Sequence, residues 1–387
     1  MKKSRIAIML LFAAFLAAIS GGSLVQKDRE FSPNENRYLE GVPKFSWERV
    51  MSGEFQEKLE KYLRDQILGR DAWITAKTAV QKTMGKTDIG GAYVGKDGYD
   101  FEKITPEDVD EGQVKRNIVA VHDFFEETSA VIAPERLSFL LVPTSGLILE
   151  EKLPKNARLF DQNAYIDEVQ AAMGDYSFVD VRKELAAAKD EYIYYRTDHH
   201  WTTDGAYIAY EKWCKSVGIS CVGQTDLEKT TVTEEFRGTL YSKILDADSA
   251  YDSIWIWTPA GLGAAYSDRF TVTVGKDKQG QLFDESKLGE KDKYAFFLGG
   301  NYSQLVISGG DSGESGGRRL LVVKDSFANS FIPFVAGQFE EIHMIDLRYY
   351  KGDVREYLSE SGITDVLVLY NISNFISDQN LYRLAGD

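Results

Sequence analysis

Along this chain the apolar positions change period near residue 137. Before that point they recur at helical spacing. Phe55, Leu59, Tyr62 and Leu63 predict a helix over Ser52 to Leu68, and a second helical stretch covers Asp71 to Met84. The Gly-rich segment Ile89 to Asp100 predicts a hairpin, and Thr105-Pro106-Glu107-Asp108 reads as the start of a helix continuing through Val114, Ile118, Val121 and Phe125. From Leu137 onward, short apolar runs alternate with amphipathic ones. Strands are predicted at Leu137 to Val142, Tyr176 to Val181, Ser253 to Trp257, Phe270 to Val274, Gln304 to Ser308, Leu320 to Val323, Ile342 to Leu347 and Asp365 to Tyr370. Helices are predicted at Ala164 to Met173, Arg182 to Lys189, Thr203 to Val217, Phe327 to Val335 and from Val354.

The strand–helix order over the last seventy residues or so predicts a mostly parallel, helix-covered sheet, an α/β fold. At the amino end, Lys2, Lys3 and Arg5 precede an uncharged run, Ile6 to Ile19, and a small-residue stretch, Ser20 to Ser23. That is the build of a signal peptide or signal anchor, and it places the protein outside the cytoplasmic membrane, secreted or anchored. Three parts follow: a targeting segment over 1–23, an N-terminal lead-in and helical segment over 24–104 packed on the main domain, and an α/β catalytic domain over 105–387.

A formal net charge of -15 argues against non-specific binding to nucleic acid or to an anionic membrane surface. Export permits disulfides, and Cys214 and Cys221, the only cysteines, flank a helix end and a Gly turn, which predicts a local bridge.

Chemistry concentrates in two stretches. Ser326 follows the strand ending in Val322-Val323-Lys324-Asp325 and precedes a helix, so it sits where open α/β sheets bind ligands and where free N–H groups and the helix dipole favour an oxyanion. A serine needs a base, and two of the four histidines lie in Arg196-Thr197-Asp198-His199-His200-Trp201. Asp198, a histidine and Ser326 would form an acid–base–nucleophile set. By spacing alone His199 competes with His200 as the base. Adjacent histidines rarely point at one ion, so no metal is expected, and no cofactor either. Gly300 and Asn301, in Gly299-Gly300-Asn301, are candidates for oxyanion or substrate binding, as are Arg196, Trp201 and Arg348.

Arg196 to Thr202 resembles the signature of the DHHW family of exported bacterial proteins. The resemblance extends to Phe31 to Arg37, Phe296 to Tyr302, Leu320 to Phe334 and Asp346 to Tyr350. That family is similar to the SGNH-hydrolase-like alginate O-acetyltransferases, in which an Asp-x-His-Trp element and a later Asp-Ser element supply a triad. Carried over by position, the resemblance assigns Asp198, His200, Trp201 and Ser326. Lys324 stands where a Gly is usual before Asp-Ser. The resemblance implies an SGNH-like three-layer fold and a serine-dependent O-acyltransferase or esterase, acetyl in kind, acting on a cell-surface polysaccharide. It also implies a membrane-bound O-acyltransferase as the acyl donor. The alternative is a non-catalytic glycan-binding or scaffolding protein of the cell envelope that keeps the fold.

Overall fold

The computed structural model describes residues 2–35, 37–276, 278–310 and 317–385. The Gly- and Ser-rich segment from Gly309 to Gly317 reads from sequence as a polar turn between two strands, and its middle lies outside the described residues. The chain divides into two compact units. Residues up to Gly90, with Tyr241–Ser249, form the first; Gly91–Leu240 and Ala250–Asp387 form the second.

In the first unit, α1 (Lys2–Val25) runs past the apolar segment seen in the sequence. The helix continues through Ser20 to Val25, and Ser23 Oγ bonds back to the Ile19 carbonyl at 2.8 Å instead of ending it. Ser4–Val25 is long and apolar enough to cross a membrane. Two further helices, α2 (Glu54–Asp65) and α3 (Arg70–Thr83), fall within three residues of their expected ends. The polar lead-in is extended and pinned. Phe31–Ser32 pairs with Arg37–Tyr38, and buried Asp65 accepts two bonds from the Arg37 guanidinium, at 2.9 and 2.6 Å. Such a bidentate pair is stronger than a surface ion pair because both partners are held planar and partly out of water.

The second unit opens with a hairpin, Ala92–Val94 against Asp100–Glu102. Thr105 does not start the expected long helix. Pro106–Asp108 makes one 3-10 turn, and α4 (Glu111–Thr128) begins afresh because the Asp110 carboxylate caps the N–H groups of Gly112 and Gln113. Then follow β1 (Leu137–Val142), α5 (Gln162–Met173), β2 (Ser177–Asp180), α6 (Thr203–Val217), β3 (Leu227–Phe236), β4 (Asp252–Pro259), β5 (Thr271–Val274), β6 (Lys278–Gly280), β7 (Gln304–Ser308), β8 (Arg319–Lys324), α7 (Ala328–Val335), β9 (Glu341–Ile345), α8 (Val354–Glu360), β10 (Asp365–Asn371) and α9 (Ile372–Ser377).

Eight strands form one sheet in the order β6-β5-β7-β9-β8-β10-β1-β2. From β9 to β2 all neighbours are parallel; β5, β6 and β7 add an antiparallel edge. This is the expected α/β class with a mostly parallel sheet. Strand β8 lies inside it, Val322 opposite Met344 on one side and Leu367 on the other. Its alternate residues feed two cores. Leu320 and Val322 pack with Trp213 and Phe331 from α6 and α7; Leu321 and Val323 pack with Phe124, Val169 and Leu358 from α4, α5 and α8. Helices therefore cover both faces, which is why β8 reads as an unbroken apolar run. A separate ribbon, β3 with β4, stands apart from the sheet.

Candidate active site

Ser326 is placed by the two ends of a sharp turn. Asp325 leaves β8 with its N–H on the Leu369 carbonyl at 3.1 Å. Its carboxylate then accepts from Phe327 N–H (2.8 Å), Asn371 N–H (2.8 Å) and Asn374 Nδ2 (2.7 Å). Burial pushes this carboxyl up, and those bonds oppose the shift. Asp325 thus clamps the turn to β10, and Ser326 emerges two residues before α7. Among the described residues its N–H has no hydrogen-bond partner.

His200 comes from the segment before α6. Its Nε2 is 2.7 Å from Ser326 Oγ, and its Nδ1 is 2.6 Å from Asp198 Oδ1. Two residues apart in sequence, Asp198 and His200 meet because the chain folds over between them: Tyr195 N–H bonds the His200 carbonyl, and His200 N–H bonds Asp198 Oδ1 at 3.0 Å. The other carboxylate oxygen accepts from Thr239 N–H (2.8 Å) and Thr239 Oγ1 (3.1 Å). Burial alone would raise Asp198, yet the charges of His200 and His199 and these bonds hold it well below the usual carboxylate range. For His200, burial and then His199 push the imidazole down to about 4 against the pull of Asp198. At neutral pH the ring is uncharged, with Nδ1–H donating to the Asp198 carboxylate and Nε2 free to accept from Ser326. The arrangement can take the serine proton and return it to a leaving group.

His199 is not so placed. Its Nδ1 is 2.7 Å from Thr239 Oγ1, and its ring lies 3.9 Å, centroid to centroid, from that of His200. The other side of His200 is covered by Tyr294, stacked at 3.9 Å with 11° between planes. Tyr294 Oη donates to the Ser326 carbonyl at 3.1 Å, so one side chain holds both the base and the serine backbone. Deeper still, Asp252 accepts from Arg196 N–H (2.9 Å), Thr197 N–H (2.8 Å) and Thr197 Oγ1 (2.6 Å) and fixes the approach to Asp198.

The remaining candidates separate. Trp201 is fully buried, its Nε1 on the Phe327 carbonyl (3.1 Å) and Ser330 Oγ (3.0 Å). It braces the serine turn from within and offers no face to a substrate, a correction to the expectation. Arg196 lays its guanidinium over the rings of Tyr192 and Tyr99, 4.9 and 5.6 Å from their centroids, rather than on Ser326 or His200. Arg348 makes a two-pronged pair with buried Asp346, at 2.9 and 2.6 Å, and lines a polar cleft of about 290 Å³ with Asp325, Asn374 and Asn380. Gly300 spends its N–H on the Phe297 carbonyl at 3.3 Å, at the end of three successive left-handed residues, Leu298, Gly299 and Gly300. That strained turn delivers Asn301. Lys324 Nζ donates to Asn301 Oδ1 (2.6 Å) and to Asn329 Oδ1 (2.7 Å), and Asn329 Nδ2 adds a third bond to Asn301 Oδ1 at 3.2 Å. With its oxygen held twice, the Asn301 amide is fixed, and among the described residues its NH2 has no hydrogen-bond partner. The expected disulfide is not formed. Cys214 and Cys221 are free thiols, the former buried in α6, the latter turned to the Glu211 carbonyl at 3.6 Å.

Among the described residues, two groups have ligand atoms close enough to share a metal: Asp198, His199 and His200, and the surface set His122, Asp123 and Glu126. In the first, His200 already uses both nitrogens, so an ion would have to displace Asp198 or Ser326.

Residues 171–345 match the DHHW protein family. The matched span contains both Asp198-His199-His200-Trp201 and Ser326, as the resemblance in the sequence required. Solved structures agree on the fold. A DHHW family protein from Eubacterium siraeum superposes with a TM-score of 0.62 at 23% identity, covering 77% of this chain and 96% of that one. PatB1 of Bacillus cereus gives 0.62 at 21% identity, covering 74% and 97%. PatB1 carrying a sulfonyl adduct gives 0.60 at 21%, covering 75% and 98%. No curated protein sequence matches the chain. At these identities the solved structures speak for the fold; the reading of the chemistry rests on the side chains themselves.

Proposed function

We propose that the protein is an extracytoplasmic, serine-dependent O-acyltransferase or esterase, with acetyl as the group and a cell-surface polysaccharide as the acceptor or substrate. The observation that carries this reading is the continuous chain Asp198–His200–Ser326, with contacts of 2.6 and 2.7 Å. His200 would take the Ser326 proton as Oγ attacks the acyl carbonyl. The oxyanion would meet the Ser326 N–H and the Asn301 NH2, and the leaving alcohol would take its proton from His200. A sugar hydroxyl, or water, would then attack the acyl-enzyme by the same route in reverse. The cleft beside Arg348 is proposed to seat the acceptor, and a membrane-bound O-acyltransferase to supply the acyl group. α1 would serve as export signal or anchor.

The reading is tested by supplying p-nitrophenyl acetate with and without wall polysaccharide. Ester-linked acetyl on the glycan, absent with Ser326→Ala, identifies a transferase. Acetate release alone, also lost in that variant, identifies an esterase. No Ser326-dependent turnover of either kind leaves the glycan-binding alternative.

The pH profile follows from two groups. Acylation should rise as pH passes about 4, because only neutral His200 accepts the proton. Burial pushes the Lys324 ammonium down to about 8, with Arg348 acting in the same direction and Asp346 and Asp325 opposing. The charge behind Asn301 is therefore lost above about pH 8, and the rate should fall there. Lys324→Met should remove the upper limb and lower the plateau by ~10- to 100-fold, less than the ~10²- to 10³-fold of losing an oxyanion donor outright, because Lys324 acts through Asn301. Stopped-flow acylation from pH 3.5 to 10 reads both limbs.

A further inference from the structure

The first unit carries much exposed apolar surface. Among the described residues, fourteen large apolar side chains between Leu24 and Met84 are exposed, against seven in residues 91–387. α1 is tied to the turn between α2 and α3. Ser23 Oγ accepts from Leu68 N–H at 2.9 Å, and Phe15 meets Trp73 edge to face at 5.9 Å. Two apolar cavities open on either side of Ile67. One, of about 360 Å³, has walls from Ile19, Leu24, Tyr62 and Leu63. The other, of about 380 Å³, is floored by Trp73, Ile74 and Ile89 and rimmed by Arg64, Lys77 and Lys243.

The rim is the informative part. Arg64, Lys77 and Lys243 are exposed and, among the described residues, form no ion pair. Arg70 on the same wall differs: it is buried and engaged with Glu35, Asp65 and Asp71. Charge along the chain follows suit. Residues 26–90 hold twelve Lys or Arg and eleven Asp or Glu; residues 91–387 hold thirty and forty-nine. A protein this acidic is repelled by an anionic bilayer unless it carries a local cationic site. A phosphate alone would leave the apolar grooves unfilled, and an uncharged lipid would leave three cations unpaired.

We infer that this wall of the first unit binds an anionic phospholipid, its acyl chains in the grooves beside Ile67 and Trp73 and its phosphate on Arg64, Lys77 and Lys243. The inference rests on the extracytoplasmic membrane placement of α1 proposed above and is independent of the chemistry at Ser326. The site would hold the protein against the membrane face where its donor is proposed to lie.

The test uses the full chain in non-ionic detergent, titrated with phosphatidylglycerol or phosphatidylcholine and read by native mass spectrometry. Phosphatidylglycerol adducts should form at ~10-fold or more lower lipid concentration than phosphatidylcholine adducts. Arg64→Gln, Lys77→Gln and Lys243→Gln together should weaken the former ~100-fold and leave the latter unchanged. Inorganic phosphate should not compete. Equal binding of the two lipids, an unaffected triple variant, or displacement by phosphate would overturn the inference. As a second readout in vesicles, brominated phosphatidylglycerol should quench a component of the fluorescence that Trp73→Phe removes. Sulfonyl-probe labelling of Ser326 in the triple variant should stay at the wild-type rate. A failure of the acyl chemistry would leave the lipid result standing, and the reverse holds too.

Discussion

His200→Ala should slow acylation of Ser326 by ~10⁴-fold, whereas His199→Ala should cost less than ~10-fold. The histidines are adjacent and equally plausible by spacing, but only His200 has Nε2 within 2.7 Å of Ser326 Oγ and Nδ1 on Asp198. Removing a base of this kind typically costs most of the rate beyond what oxyanion donors and binding retain. His199 acts at one remove, through its 3.9 Å ring contact and its bond to Thr239. Its charge also helps to lower His200. The His199 variant should therefore move the acid limb of the pH profile upward while leaving the plateau nearly intact. Pre-steady-state acylation of both variants checks the contrast, and equal losses would mean that the base has been misassigned.

Gly238→Ala should be almost as damaging, ~10²- to 10⁴-fold in the rate of acylation. A Cβ at Gly238 would stand 2.2 Å from Asp198 Oδ2 and 2.5 Å from its Cγ, closer than atoms can approach. The carboxylate is confined by His200 and Thr239, so it must leave His200 to make room. Gly238 is not left-handed, so the new side chain brings no backbone strain and the fold should persist. A double-variant cycle separates this from general damage. The contact includes Asp198 Cβ at 2.3 Å, so the background that removes the clash is Asp198→Gly, in which Gly238→Ala should add little. A full additional loss in that background would place its effect elsewhere.

Much of the site was legible because its chemistry is local. The strand ending at Lys324, the serine after it and the Asp-His-His-Trp stretch are each written in a few consecutive residues, and β1 occupies the span its apolar run predicts. What the pattern could not show lies at long range. Tyr294, Gly238 and Thr239 reach His200 and Asp198 from segments roughly 40 to 90 residues away, and nothing in Lys293-Tyr294-Ala295 marks a ring that stacks on a base. Strand β3 was invisible for another reason. Leu227-Glu-Lys-Thr-Thr-Val-Thr-Glu-Glu-Phe236 is polar on both faces because only Phe236 of this strand is buried. Trp201 looked like a ligand-facing aromatic, and its inward direction is set only when Thr202 caps α6 and α7 packs over it. Lys324 appeared to be a departure in the nucleophile turn; its partners Asn301 and Asn329 show why a cation is accommodated at that buried position.

The central claim is that Ser326 is a nucleophile activated by His200. It is tested most directly by treating the full chain with an aryl sulfonyl fluoride at pH 7 and mapping the adduct by peptide mass spectrometry. A single adduct is expected on Ser326, with loss of labelling in His200→Ala and near wild-type labelling in His199→Ala. No modification of Ser326, or labelling that persists at the wild-type rate without His200, would contradict it.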